Sequence, residues 1–359
     1  MSLSIKALNG DTSFLLTFSP LYSPTPCPRF FPGSFTILVD PWLKGSAEIF
    51  SPKFSHTVHV TKPCIGSLRE IPDPDMIIVS QDKPDHCHRE TLCELSSKSS
   101  AVILGTPAAA KKIRGWNHFN PANIKTLKKY NAEQDETIFR VVLPPMSSSA
   151  SPGEVTVTLM SAKRDITGLH NAIGITYRPP CSVLSPTFNR LVDLPPTPPE
   201  SPTSHCRPSF SSSATTVVPL PPSDREKTVS VLYSPHGVPY EHVDLWAVHH
   251  LVPKSALPLA ALIHSFDVVQ NPWYLGGNIS TGCPGGLQVA RNLLPKVWIS
   301  AHDEDKDVRG LGVQRVTTKK YYVTDVQNLL EKSWGGEKHR RTNVVSLEPD
   351  EEYNVKMRP

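Results

Sequence analysis

Asp85 and His86 stand side by side in "IIVSQDKPDHCHRETL" (77–92), and His88 follows two residues later. The β-prone apolar run 76–79 opens into this polar loop, so these side chains leave the end of a strand. Imidazole nitrogens and carboxylate oxygens are good ligands for a divalent metal, whereas Lys83 in the same loop is a cation with no lone pair to offer. A metal site needs more donors than one loop supplies. His170 lies just before a strand in "GLHNAIGITY", His236 just after one in "VLYSPHGVP", and His302 just after one in "KVWISAHDEDKD". One histidine at a strand end is ordinarily a cap or a surface residue. Four places of the same kind point to convergence, because strand ends of a layered α/β fold gather at one edge, where sites form.

The elements that must position these residues read as follows. "SFLLTF" (13–18), "SFTILVD" (34–40), "MIIVS" (76–80) and "SAVILGT" (100–106) are apolar, β-prone runs of strand length. The opening stretch through residue 18 reads as a strand. "RETLCELSSK" (89–98) has Leu92 and Leu95 at helical spacing, and "PAAAKKIRGW" (107–116) is a helix with proline at its start, where the missing N–H costs little. From 138 to 178 strand follows strand, which predicts antiparallel hairpins. "TVSVLYSP" (228–235), "VDLWAVHHLVP" (243–253) and "LPKVWISAHDEDKD" (294–307) read as strands, the last ending in a polar loop. "CPGGLQVARNLL" (283–294) and "VQNLLEKS" (326–333) read as helices, and "NVVSLEPDEEYNV" (343–355) as a β-like extension.

Between two of these strands, residues 179–222 hold 12 prolines in 44 residues, with many serines and threonines. Such a segment cannot bury enough apolar surface to offset its ordering entropy, which predicts disorder. Flanked by strands, it reads as an oversized hairpin loop, cheap because closure entropy grows only logarithmically with length. The expected organisation is one domain formed by 1–178 and 227–359, with 179–226 as an insertion.

Composition narrows the function classes. The chain has 359 residues, 38% hydrophobic and 19% charged, with a net charge of +4. Its lysines and arginines are scattered, so no nucleic-acid face is expected. Seven cysteines, irregularly spaced and without a CxxC, argue against a disulfide framework and for a reducing compartment. The N-terminus lacks the plan of a signal peptide, and no apolar run reaches about 18 residues, so neither a membrane span nor a membrane partner is expected. A cytoplasmic protein acting on a small molecule is the default. "YLGGNISTGCPGG" (274–286) lacks the GK[ST] ending of a phosphate loop and reads as a glycine-rich turn entering a helix.

In order, "LNGDTSFLLTF", "ILVDPWL", "MIIVSQDKPDHCHRETL", "GLHNAIGITY", "VLYSPHG" and "VWISAHDEDK" resemble the metallo-β-lactamase fold superfamily, in its branch similar to ascorbate-6-phosphate lactonase and related metal-dependent hydrolases. The resemblance spans nearly the whole chain outside the proline-rich insert. It implies a four-layer αββα sandwich, an α+β arrangement of two face-to-face sheets with helices outside. The superfamily's HxHxDH loop supplies two histidines to one zinc, and Asp plus His to a second. Laid on residues 81–86, its first two histidines are replaced by Gln81 and Lys83, while Asp85 and His86 are kept. His170 and His302 stand where the later zinc-binding histidines are expected. Where the family has Gly-Asp, with Asp bridging two metals, this chain has Pro235-His236.

The resemblance therefore implies one intact half-site and one eroded half-site. Asp85, His86 and His302 form a three-ligand set with an open position, to which His236 or His88 could add a fourth; the other half keeps only His170. One zinc ion is the expected cofactor. Lys83 either orients an anionic substrate in place of the missing metal or points to solvent, and with Asp85 it is the candidate catalytic group. Asp40 in "VDPWL" either supports a ligand histidine or caps a turn. Two functions follow: a metal-dependent hydrolase of an ester, lactone or phosphoester, or a non-catalytic relative that binds a ligand or partner in the old cleft.

Overall fold

The computed structural model describes residues 1–20, 33–145, 152–163, 165, 167–180, 182–185, 190–193, 228–333 and 342–356, the segments 182–185 and 190–193 as backbone. Two seven-stranded sheets dominate it. The first runs Glu352–Lys356, Ser2–Ala7, Phe14–Ser19, Phe35–Val39, Met76–Val79, Val102–Gly105, Ile124–Thr126. The second runs Asn343–Val345, Val297–Ile299, Ala261–His264, Val229–Ser234, Asn171–Arg178, Gly153–Ser161, Ile138–Leu143. Each is antiparallel along one half and parallel along the other.

Side-chain alternation makes the layers. Leu3, Ile5, Phe14, Leu16, Ile37, Val39, Met76 and Ile78 face one way from the first sheet and meet Val155, Val157, Ile173, Ile175, Val231, Tyr233, Ile263 and Ile299 of the second. The intervening residues face outward under helices. Leu38, Ile77, Val79 and Ile103 pack with Ala109, Ala110 and Ile113 of the helix Pro107–Arg114. Leu232, Leu262 and Trp298 pack with Val289, Ala290 and Leu293 of Gly282–Leu293 and with Val326 and Leu330 of Val323–Ser333. The result is helix, sheet, sheet, helix, as expected.

Several local readings are corrected. The N-terminal stretch is a hairpin of two strands, because the Asn9–Asp11 turn reverses the chain. The helix expected over 89–98 is one turn, Arg89–Leu92. Residues 243–253 are not a strand: Asp244–Trp246 and Ala247–Leu251 are helical, and Val243, Trp246, Ala247 and Leu251 point inward. Their β-prone composition is overridden by packing, since an inward stripe at three- and four-residue spacing suits a helix lying on a sheet.

The chain leaves the strand Asn171–Arg178 for the proline-rich insert and re-enters at Val229–Ser234. These two strands are antiparallel neighbours, so the insert does bridge a hairpin. Within it, Ser182–Ser185 pairs with Arg190–Asp193, which corrects the expectation of no regular structure there. The rest of that expectation, over 181, 186–189 and 194–227, lies outside the described residues.

Candidate metal centre

The parallel halves of both sheets end at the same edge. Asp40 follows Phe35–Val39, the loop carrying Asp85 and His86 follows Met76–Val79, His236 follows Val229–Ser234, and His302 follows Val297–Ile299. Carboxyl ends of parallel strands are where such folds place their sites.

Three rings converge there. The Nε2 atoms of His86 and His236 lie 3.1 Å apart. The ring of His302 sits 5.1 Å from that of His86 and 4.4 Å from that of His236, centroid to centroid. One ligand atom from each of the three falls within 4.8 Å of the others. The Asp85 Oδ2 atom is 3.7 Å from His86 Nε2 and 3.9 Å from His302 Nε2.

The far side of each ring is held by an acceptor. His86 Nδ1 lies 2.7 Å from Asp40 Oδ2. His236 Nδ1 donates to the carbonyl of Ile279 at 2.9 Å. His302 Nδ1 lies 3.1 Å from Asp11 Oδ2. These contacts place the Nδ1 proton on the outside and turn the Nε2 lone pairs inward, the arrangement that orients metal-binding histidines. Asp40 is itself fixed by the Ser80 amide (2.7 Å), the Ser80 hydroxyl (2.5 Å) and the Tyr233 hydroxyl (2.7 Å). The backbone accepts local cost for this geometry: Asp40 has φ +40° and His302 has φ +67°.

The electrostatics agree. Burial works against charge on His86, but the Asp85 and Asp40 carboxylates outweigh it and raise its pKa. Burial, followed by the neighbouring His302 and His86, holds His236 well below the usual imidazole range. Burial also opposes ionisation of Asp11 and Asp85. His302 and Lys306 nevertheless hold Asp11 well below the ordinary carboxylate range, and His86 with His302 keeps Asp85 lowered. Lys306 Nζ contacts both Asp11 oxygens at 2.8 Å and His302 Nδ1 at 3.1 Å.

A metal fits this donor set. Tetrahedral zinc with bonds near 2.1 Å has ligand atoms about 3.4 Å apart. The nitrogen–nitrogen contact of 3.1 Å and the carboxylate contacts of 3.7 and 3.9 Å bracket that spacing. Asp85 Oδ1 is buried and has no hydrogen-bond partner among the described residues. Two inward-facing nitrogens 3.1 Å apart also need a proton or a cation between them.

No known family model matches the sequence, and no curated protein matches it. Solved structures do. A possible metal-dependent hydrolase from Veillonella parvula aligns over 98% of this chain and 99% of its own, with TM-score 0.51 and 10% identity. An isothiocyanate hydrolase from Delia radicum gut bacteria aligns over 98% of both chains at TM-score 0.49 and 11% identity. The metallo-β-lactamase fold protein YhfI from Bacillus subtilis aligns over 98% and 99%, at 0.46 and 9%. The chain shares its fold with the first of these. At such identities the likeness concerns the fold alone.

Within this fold, the sequence-derived candidates divide. Asp85, His86, His236 and His302 are brought together. His170 is placed apart: its Nδ1 and Nε2 lie 3.0 Å from the carbonyls of Gly237 and Asn278, which occupy both nitrogens. His88 caps the helical turn Arg89–Leu92, with Nδ1 taking the Thr91 amide. Lys83 Nζ lies 3.4 Å from the Asp82 carboxylate beside it. Gln81 is buried, yet neither of its amide atoms has a partner among the described residues.

Sequence reasoning missed Asp11 and Lys306. Asp11 is in the "NGD" turn of the opening hairpin, and Lys306 stands four residues after His302 in "HDEDK". Asp303 and Glu304 belong to the polar loop that follows His302. Asp303 accepts the Phe266 and Asp267 amides at 2.6 and 2.9 Å, and Glu304 Oε2 meets His59 Nδ1 at 2.5 Å. Both carboxylates anchor loops around His302 instead of facing solvent.

Proposed function

We propose that this protein is a metal-dependent hydrolase with one metal, held by His86, His236, His302 and Asp85. The observation that carries the reading is the inward convergence of three Nε2 atoms whose Nδ1 partners are already committed. Three imidazoles and a carboxylate suit zinc. When bound, such a metal polarises the scissile group and lowers the pKa of a water.

The chain's own groups supply the rest. Asp85 keeps about a fifth of its side-chain surface open, 21% against 0% for His86, so a substrate meets the site at Asp85. Its lowered pKa keeps it a hydrogen-bond acceptor at neutral pH, and Oδ1 has an acceptor position to offer a water. Lys83, 30% exposed and held only by a long contact to Asp82, is the cation of this loop left to meet an anionic substrate oxygen. Esters, lactones and phosphoesters present such an oxygen, and the branch similar to ascorbate-6-phosphate lactonase remains the guide to substrate class.

Elemental analysis of the purified chain tests the reading. About one equivalent of zinc is expected, lost in His86→Ala and in His302→Ala, together with hydrolysis of a p-nitrophenyl ester, a phosphodiester or a lactone. Two equivalents would show that His170 or Gln81 belongs to a second site. The unpartnered Gln81 amide also favours a second reading, a cleft that binds a ligand without catalysis. Metal bound with no hydrolysis of any of the three substrate types would select it.

A further inference from the structure

Two small three-stranded sheets stand outside the sandwich. Ala47–Ile49, Ser55–Val58 and Asp307–Arg309 form one; Val268–Gln270, Asn278–Ser280 and Thr317–Lys319 form the other. Both are rooted at the candidate metal centre. Asp307 is five residues beyond His302, and Ile279, in the second sheet, takes the His236 Nδ1 proton.

Their tips meet. Leu311 N donates to Lys53 O (2.9 Å), Gly312 N donates to Phe54 O (2.8 Å), and Asn271 Nδ2 donates to Gly312 O (3.2 Å). The joined tips present large apolar side chains to water: Phe50 is 92% exposed, Trp273 87%, Leu311 69% and Tyr274 53%. Phe50 also holds a left-handed backbone at φ +58°, which is unfavourable for a bulky residue. Exposure and strain at one tip, where Phe50 meets only the edge of Phe54 at 5.2 Å and Trp273 that of Tyr274 at 5.8 Å between ring centroids, indicate a partner. The tip loops 50–54, 271–277 and 310–316 contain no Asp or Glu but carry Lys53 and Arg315, and Arg315 bonds the Tyr274 hydroxyl.

We propose that these tips bind an anionic lipid surface, the apolar side chains entering the boundary between headgroups and acyl chains and Lys53 and Arg315 meeting the headgroup charge. A protein interface buries its anchors in shaped pockets of a partner. Protruding side chains, Phe50 and Trp273 at almost full exposure, suit a fluid interface, which needs no matching shape, and Trp and Tyr favour that depth. The expectation of no membrane partner rested on the missing span, and a peripheral surface is a different case. The inference stands independently of the metal.

Sedimentation of the full chain with vesicles of phosphatidylcholine containing 30% phosphatidylserine tests it, in the presence of EDTA. Binding is expected, weaker at high salt. Trp273→Ser with Phe50→Ser should reduce the partition coefficient about tenfold or more, and Lys53→Glu with Arg315→Glu should reduce it similarly. Melting temperatures should hold, because these side chains pack against little. Failure to sediment, equal binding by both double variants, or a wild-type dimer that the apolar variant dissociates would overturn the proposal; the last would make the tips a contact between copies.

Discussion

At the residue scale the site is a problem of proton placement. His86 and His236 share a 3.1 Å contact between Nε2 atoms; the carboxylates of Asp85 and Asp40 raise the pKa of His86 and burial depresses that of His236, so of the two rings His86 is the one that takes up a proton, which it can donate to His236. A metal must displace it. Affinity should therefore fall about tenfold per pH unit below the raised His86 pKa and level off above it. Calorimetry in buffers of different ionisation enthalpy should record about one proton released at the acid end. Constant affinity from pH 5 to 8 would contradict a proton on His86. Asp40→Asn should weaken metal binding by about 10- to 100-fold, because it removes the acceptor that fixes the His86 tautomer; a competition titration with a chelator reads it directly.

Elements matter as the carriers of these side chains. His88 belongs to the turn Arg89–Leu92 as its cap, so His88→Ala should cost about 1 kcal/mol of stability and leave the metal stoichiometry unchanged. Loss of metal in that variant would return His88 to the ligand set. The helix Gly282–Leu293 lies so close to the strand Val297–Ile299 that a Cβ on Gly286 would fall 2.1 Å from the Trp298 ring. Gly286→Ala should destabilise by about 1–3 kcal/mol through overpacking, seen as a lower denaturant midpoint. An unchanged midpoint would mean the helix can slide on the sheet without cost.

Over the whole molecule, the points where the proline-rich segment leaves and returns lie at the other end of their strands from the site. The segment leaves after Arg178 and returns at Val229, whereas His170 and His236 lie beyond the opposite ends of the same two strands. Replacing 181–227 by a short Gly-Ser linker should leave the melting temperature nearly unchanged, since the flanking strands already pair and closure entropy grows slowly with length. Metal stoichiometry should also hold. A drop of many degrees would show that the segment packs on the core.

Alternation and punctuation along the chain were enough to determine most strands of the two large sheets (not Ile124–Thr126 or Ala261–His264), most helices, the hairpin role of the insert, and the strand-end positions of Asp85, His86, His236 and His302. Period-2 burial is a local property, and a buried strand must carry it wherever it pairs. Tertiary structure alone decided which donors meet. His170 and His236 flank neighbouring strands at the same edge, yet one ring faces two carbonyls and the other faces His86. Asp11 and Lys306 are separated by 295 positions and touch at 2.8 Å. Residues 244–251 became helical because the outer face of a sheet was waiting for Trp246 and Leu251. Ring orientation, long-range pairing and the choice of helix over strand all depend on surfaces supplied by distant parts of the chain, which no local pattern encodes.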